Sequence, residues 1–153
     1  MERQERARES DPRSVPWRLE GEADLVAVDT TWGELQRLEA APDVQTVGEV
    51  ELIELVEQGA LVVDCRTAGS FGGLTIPGAA NIPHTEMVER RSELDPDRIS
   101  ILFCNGPQCP QSPHALRELL EAGHPAHALA YYRGGMHDWV SLAMPTEPRQ
   151  DER

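Results

Sequence analysis

The sequence has no lysine. All 14 of its cationic side chains are arginine, which excludes chemistry that begins with an amine attacking a carbonyl carbon. Aromatic residues make up only 5% of the chain, so Val, Leu, Ile and Ala must build most of the core. No apolar run approaches the roughly 20 residues needed to cross a bilayer. The first residues, Met1, Glu2, Arg3, Gln4 and Glu5, lack the apolar segment of a secretory signal, and the three cysteines are too few and odd in number for a disulfide scaffold. A reducing, cytoplasmic setting is the expectation. Positive charge is also scarce: 14 basic against 27 acidic residues give a formal net charge of −13. That balance argues against nucleic acid and against an anionic membrane surface as partners. It requires a local source of positive potential wherever an anionic substrate binds.

The 153 residues suffice for one ordinary domain. Residues 1–18 mix Arg, Glu, Ser and Pro and read as a disordered leader. Residues 19–43 form an acidic extension expected to pack on the main domain. It holds a short strand at 25–28 and, from a capping box at Thr31 and Glu34, a short helix from Trp32 to about Glu39. The main domain is expected over 44–145, followed by a polar tail over 146–153. Within it, a second capping box at Thr46 and Glu49 predicts a helix to about Gln58, with Val50, Ile53 and Leu55 or Val56 facing inward. Leu61, Val62 and Val63 form a non-alternating run typical of a buried parallel strand. Strands alternating with helical segments imply an α/β domain with a mostly parallel sheet.

The stretch from Ile99 to Leu120 organises the rest. An apolar run through Phe103 reads as a strand and breaks at Cys104. A loop of Asn105, Gly106, Pro107, Gln108, Cys109, Pro110 and Gln111 follows. A helix then begins, with Ser112 as its expected N-cap, Pro113 at its first position and Ala115, Leu116, Leu119 and Leu120 on one face. A thiol at the carboxyl end of a strand faces the crevice where open α/β sheets bind ligands. The helix that follows aims unpaired N–H groups and a partial positive charge back at it. Such a setting favours thiolate over thiol. Cys104 is therefore the candidate nucleophile. Cys65, inside a buried strand, reads as an inert core residue.

Four segments together resemble the rhodanese family. They are Asp64 and Arg66 at the end of the first long strand; Ile76, Pro77, Gly78 and Ala79 followed by Asn81, Ile82 and Pro83; Phe103, Cys104 and the loop beyond; and Gly134, Gly135 and Trp139. The resemblance implies a rhodanese-like α/β domain, a five-stranded mostly parallel sheet with helices on both faces. It further implies a sulfurtransferase in which Cys104 takes sulfane sulfur from a donor such as thiosulfate or a persulfide. The resulting persulfide passes its outer sulfur to a thiol or cyanide. Most of the shared residues, Asp64 and Trp139 among them, read as keepers of the fold, and Gly134 and Gly135 as a tight turn beside the cysteine loop.

The loop departs from the family pattern. Where an arginine is usual, five residues after the nucleophile, this chain has Cys109. Two extra residues precede the helix, no loop residue is basic, and Pro107 and Pro110 lack N–H donors. The anion-holding guanidinium is missing, which weakens the case for thiosulfate. Arg66, Arg133 and His114 are the candidate substitutes, although Arg66 is better matched to a structural pair with Asp64. A longer loop also occurs in rhodanese-fold phosphatases and arsenate reductases, but those end in the arginine absent here. Cys109 opens an alternative, a dithiol redox or sulfur relay with Cys104 attacking and Cys109 resolving. A protein-binding or regulatory module on the same fold is the non-enzymatic alternative, with the acidic extension docking a sulfur-relay protein. Otherwise the expected partners are a small sulfur donor and a thiol acceptor. The five histidines lack ligand spacing, so neither metal nor organic cofactor is expected.

Overall fold

A computed structural model describes residues 7–9, 17–19, 22–29, 35–67 and 73–149. Its centre is a five-stranded sheet, every neighbouring pair parallel, in the order β4-β9-β8-β5-β7. The strands are β4 (Gln45–Val47), β5 (Leu61–Asp64), β7 (Ala80–Asn81), β8 (Ser100–Phe103) and β9 (Leu129–Tyr132). β8 lies in the middle, so its carboxyl end, where Cys104 follows, opens at the centre of the domain.

Because side chains alternate across a strand, the sheet builds two apolar layers. On one face Val63, Leu102, Leu129 and Tyr131 pack with Ala115, Leu116 and Leu119 of helix α2 (Gln111–Glu121). On the other, Val62, Ile101, Phe103 and Tyr132 pack with Leu52 of α1 (Glu49–Glu57) and with Met136 and Trp139 of α3 (Gly135–Ser141). Tyr132 meets Trp139 edge-on, with ring centroids 6.2 Å apart. The indole N–H of Trp139 donates to the Pro145 carbonyl at 2.7 Å. The architecture expected from the sequence is thus present, with helices on both faces.

Several local expectations are corrected. α1 begins at Glu49, because Thr46 is spent in β4, where its hydroxyl donates to the Leu38 carbonyl. The cap is made instead at Gly48, whose N–H donates to the Glu51 carboxylate at 3.2 Å. Leu52, 2% exposed, faces inward together with the partly buried Leu55 of the expected set, while Val50 is 66% exposed and Ile53 and Val56 also face out. α1 carries apolar residues on two faces, and only the sheet decides which is covered. The helix expected from Trp32 to Glu39 is absent over 35–39, and residues 32–34 lie outside the described set. There the backbone bonds outward to the domain rather than along itself, since the Gln36 N–H donates to the Pro107 carbonyl at 2.7 Å and Arg117 to the Ala40 carbonyl at 3.4 Å. The strand expected at 25–28 falls within β3 (Glu22–Asp29), which pairs with β1 (Ala7–Glu9) and β2 (Trp17–Leu19). The rest of the leader lies outside the described residues. At the other end, β10 (Glu147–Pro148) pairs antiparallel with β6 (Leu74–Thr75). Among the described residues no helix is long and apolar enough to cross a membrane.

One buried polar network fixes the edge of the sheet beside Cys104. Asp64 and Arg66 are both fully buried. The Asp64 carboxylate accepts from Arg66 Nε at 2.8 Å, from Arg66 Nη2 at 2.7 Å and from the Thr75 hydroxyl at 2.8 Å. The Asn81 amide donates to the carbonyls of Asp64 and Arg66, each at 3.0 Å. β5, β6 and β7 are thereby tied at one corner. Removing one partner of such a buried pair strands the other charge, which costs about 3–5 kcal/mol. Asp64→Ala should therefore destabilise the domain by about that amount in urea unfolding, whereas a loss within about 0.5 kcal/mol would show that the network is not structural.

Candidate active site

Cys104 leaves the end of β8 and enters a tightly folded loop. Gly106, Pro107, Gln108 and Cys109 make a turn closed by the Cys109 N–H to the Gly106 carbonyl at 3.0 Å, with Pro107 at its second position, where its fixed φ suits the turn. The turn brings Cys109 back onto Cys104. Both are 2% exposed and form a small buried cluster of their own.

α2 begins immediately afterwards, and its first turn supplies what the prolines withhold. The sequence predicted Ser112 as the N-cap; the helix starts at Gln111, with Pro110 in the cap position. Ser112 therefore sits inside the first turn, where an amide has no partner in its own helix. That amide points at the Cys104 sulfur from 3.4 Å, and the Ser112 hydroxyl lies 3.1 Å from the same sulfur. The Asn105 amide contacts both sulfurs and the Gln111 amide contacts that of Cys109.

The ionisation of the two thiols follows from this arrangement. Burial acts to raise Cys104, but hydrogen bonds from the Cys109 thiol, the Ser112 hydroxyl and the amides of Ser112 and Asn105 outweigh it. Cys104 is left below the ordinary thiol range. Cys109 moves strongly the other way, because its hydrogen bond to Cys104, its burial and the neighbouring negative charge all favour the protonated form. Cys65 is also pushed up, first by burial and then by the charge of Cys104. Of the three thiols, Cys104 is the one that ionises first.

Close backbone contact from the far side holds the loop in place. Gly135 has φ of 59°, and a Cβ there would lie 2.5 Å from the Cys104 carbonyl oxygen and 2.7 Å from the Gly106 amide nitrogen. No other residue fits. The amides of Met136 and His137 donate to the carbonyls of Cys104 and Asn105 at 3.1 and 2.7 Å. The turn foreseen at Gly134 and Gly135 therefore clamps the loop.

The candidate substrate contacts do not converge on the sulfurs. Arg66 is committed to Asp64 and also donates to the Leu74 carbonyl at 2.6 Å. Arg133 donates through Nε and Nη2 to the Gln36 carbonyl at 3.2 and 3.0 Å. His114 points outward and contacts Glu118 at 2.5 Å. The element that sequence reasoning missed is the segment at 35–42, since Gln36 bridges Pro107 in the loop to Arg133. Both contacts use the Gln36 backbone, which leaves no sequence signal. No cluster of three or more His, Cys, Asp or Glu side chains suited to a metal occurs among the described residues.

The Rhodanese-like domain family matches residues 49–142. The chain belongs to that family. Its similarity to the HTH-type transcriptional regulator Rv0324 of Mycobacterium tuberculosis is 32% identity over 102 residues, covering 66% of this chain and 44% of that protein. The chain thus spans less than half the length of that curated relative. Among solved structures, thiosulfate sulfurtransferase from Pseudomonas aeruginosa superposes with a TM-score of 0.61 at 27% identity, covering 74% of this chain and 22% of that one. A full-length protein from Lactobacillus plantarum matches at 21% identity with a TM-score of 0.59, covering 67% of this chain and 87% of that one, and speaks to the fold alone. In this rhodanese-like domain the cysteine loop follows the central strand, with amide donors where the common loop arginine is missing.

Ser112 offers a direct check. Cys104 reacts as thiolate, so its alkylation slows as pH falls through its lowered pKa. Loss of a donor to the thiolate moves the profile to higher pH. Ser112→Ala should slow alkylation of Cys104 at neutral pH by about tenfold, the worth of one hydrogen bond to a charged group. An unchanged pH–rate profile would remove Ser112 from the site.

Proposed function

We propose that the protein is a sulfurtransferase that carries sulfane sulfur as a persulfide on Cys104. The observation that supports this reading is the stabilised Cys104 thiolate at the carboxyl end of β8, with the amide and hydroxyl of Ser112 on its sulfur. The thiolate attacks the sulfane sulfur of a donor. The S–S bond of the donor breaks, its remainder leaves as an anion, and a Cys104 persulfide forms. An acceptor thiol then takes the outer sulfur and restores the thiolate. The donors around the sulfur are neutral, so they suit a charge that moves by one atom along a disulfide axis.

The donor class follows from what the loop lacks. Thiosulfate carries two negative charges, and residues 104–112 contain no cation to receive them. Arg133 and Arg66 are engaged elsewhere. Low-charge donors, persulfides and polysulfides, fit this loop better. Intact-mass spectrometry of the reduced protein should show a gain of one sulfur after a persulfide donor and none in Cys104→Ser. Thiosulfate should load the protein at least about tenfold more slowly, for want of one charge-assisted contact. No gain with either donor would overturn the proposal.

The similarity to a transcriptional regulator favours a second reading, in which the domain is a protein-binding or regulatory module and not a transferase. The two part at turnover: a transferase passes its sulfur to excess thiol repeatedly, whereas a module that only binds partners gains no sulfur at all.

A further inference from the structure

The reading above uses one cysteine of the loop and leaves the other unexplained. Cys109 is held against Cys104. The turn closed by Gly106 folds it back and the two side chains are buried together, and in its protonated form the Cys104 thiol donates to the Cys109 carbonyl at 3.5 Å. The Ser112 amide at the start of α2 serves the Cys104 sulfur from 3.4 Å. From outside, Gln36 pins Pro107 and is itself held by Arg133. The pair is therefore presented as a unit. A thiol fixed beside a persulfide has an effective concentration far above that of any free thiol.

We propose that Cys109 is a resolving thiol and that the domain has a second activity, the discharge of sulfane sulfur as sulfide. The proposal rests on the Cys104 persulfide of the preceding section. The persulfide anion accepts the proton of the Cys109 thiol on its outer sulfur. The Cys109 thiolate so formed attacks the inner sulfur, that of Cys104. The bond between the two cysteine sulfurs forms, the bond from Cys104 to the outer sulfur breaks, and hydrosulfide leaves with the proton. The outer sulfur is reduced by two electrons, and the two cysteine thiols are oxidised by the same two to a disulfide. Two equivalents of a low-molecular-weight thiol, or one of a dithiol, restore the starting state.

The division of labour agrees with the ionisation of the pair. Cys104, the thiolate, takes sulfur from the donor, and Cys109 keeps its proton until the persulfide needs it. The absence of a loop cation fits as well, because hydrosulfide leaves more readily where nothing positive retains it.

The test uses the full reduced chain, loaded under anaerobic conditions with inorganic polysulfide and freed of excess donor, with no thiol added. In wild type the persulfide mass should decay while sulfide appears in equal amount and the peptide spanning Cys104 and Cys109 loses two hydrogens. In Cys109→Ser the persulfide should persist, sulfide release should fall by at least about tenfold, and added thiol should still discharge the sulfur. A wild-type persulfide that persists without forming the disulfide overturns the proposal and leaves the carrier reading standing. So does undiminished sulfide release from Cys109→Ser. A wild-type chain that never gains sulfur overturns both. The wild-type time course decides the matter even if the variant fails to fold.

Discussion

Everything distinctive about this domain depends on how one buried sulfur is surrounded. A thiolate removed from water is stable only if other donors replace the water it gave up. Cys104 has the amides of Ser112 and Asn105, the Ser112 hydroxyl and the Cys109 thiol in that role. Each donor requires a piece of fold to hold it. The helix must start at Gln111, so that the Ser112 amide remains unpaired within it. The loop must turn at Gly106, so that Cys109 returns. Gly135 must lie flat against both, because any side chain there would push the loop away.

The sheet supplies the frame for this arrangement. β8 runs between β5 and β9, and its carboxyl end cannot move without disturbing both. The Asp64–Arg66 network stiffens the neighbouring strand end, and the turn beyond β9 delivers Gly135 to the loop. The family's loop usually brings its own guanidinium. Here its place is taken by the thiol of Cys109, and residues 104–112 carry no cation.

Much of this was legible in the sequence, for identifiable reasons. The unbroken apolar runs at Leu61 and Ile101 marked buried parallel strands. The change from strand to loop at Cys104 marked the candidate site, and Gly134 and Gly135 marked the turn that packs on its loop. The failures share a cause. Ser112 reads as a cap because propensity sees a serine before a proline, whereas the helix starts two residues earlier than that cap implies and turns the serine toward sulfur. Val50 and Ile53 were read as inward because α1 is amphipathic on two faces, and only the sheet selects Leu52. The pattern reads residues 35–39 as the end of a helix, but the backbone groups of Gln36, Leu38 and the adjacent Ala40 bond to the domain through atoms that carry no sequence signature.

The central claim is that Cys104 ionises first, below the ordinary thiol range, while Cys109 and Cys65 are held above it. Isotope-labelled cysteine, followed by NMR across a pH titration with single-cysteine variants for assignment, reads each sulfur without requiring a reagent to reach it. The account expects Cys104 to titrate below the range of free cysteine and the other two to remain protonated until well above it. A Cys104 that titrates with free cysteine or above it, or a Cys109 that ionises first, would contradict the account.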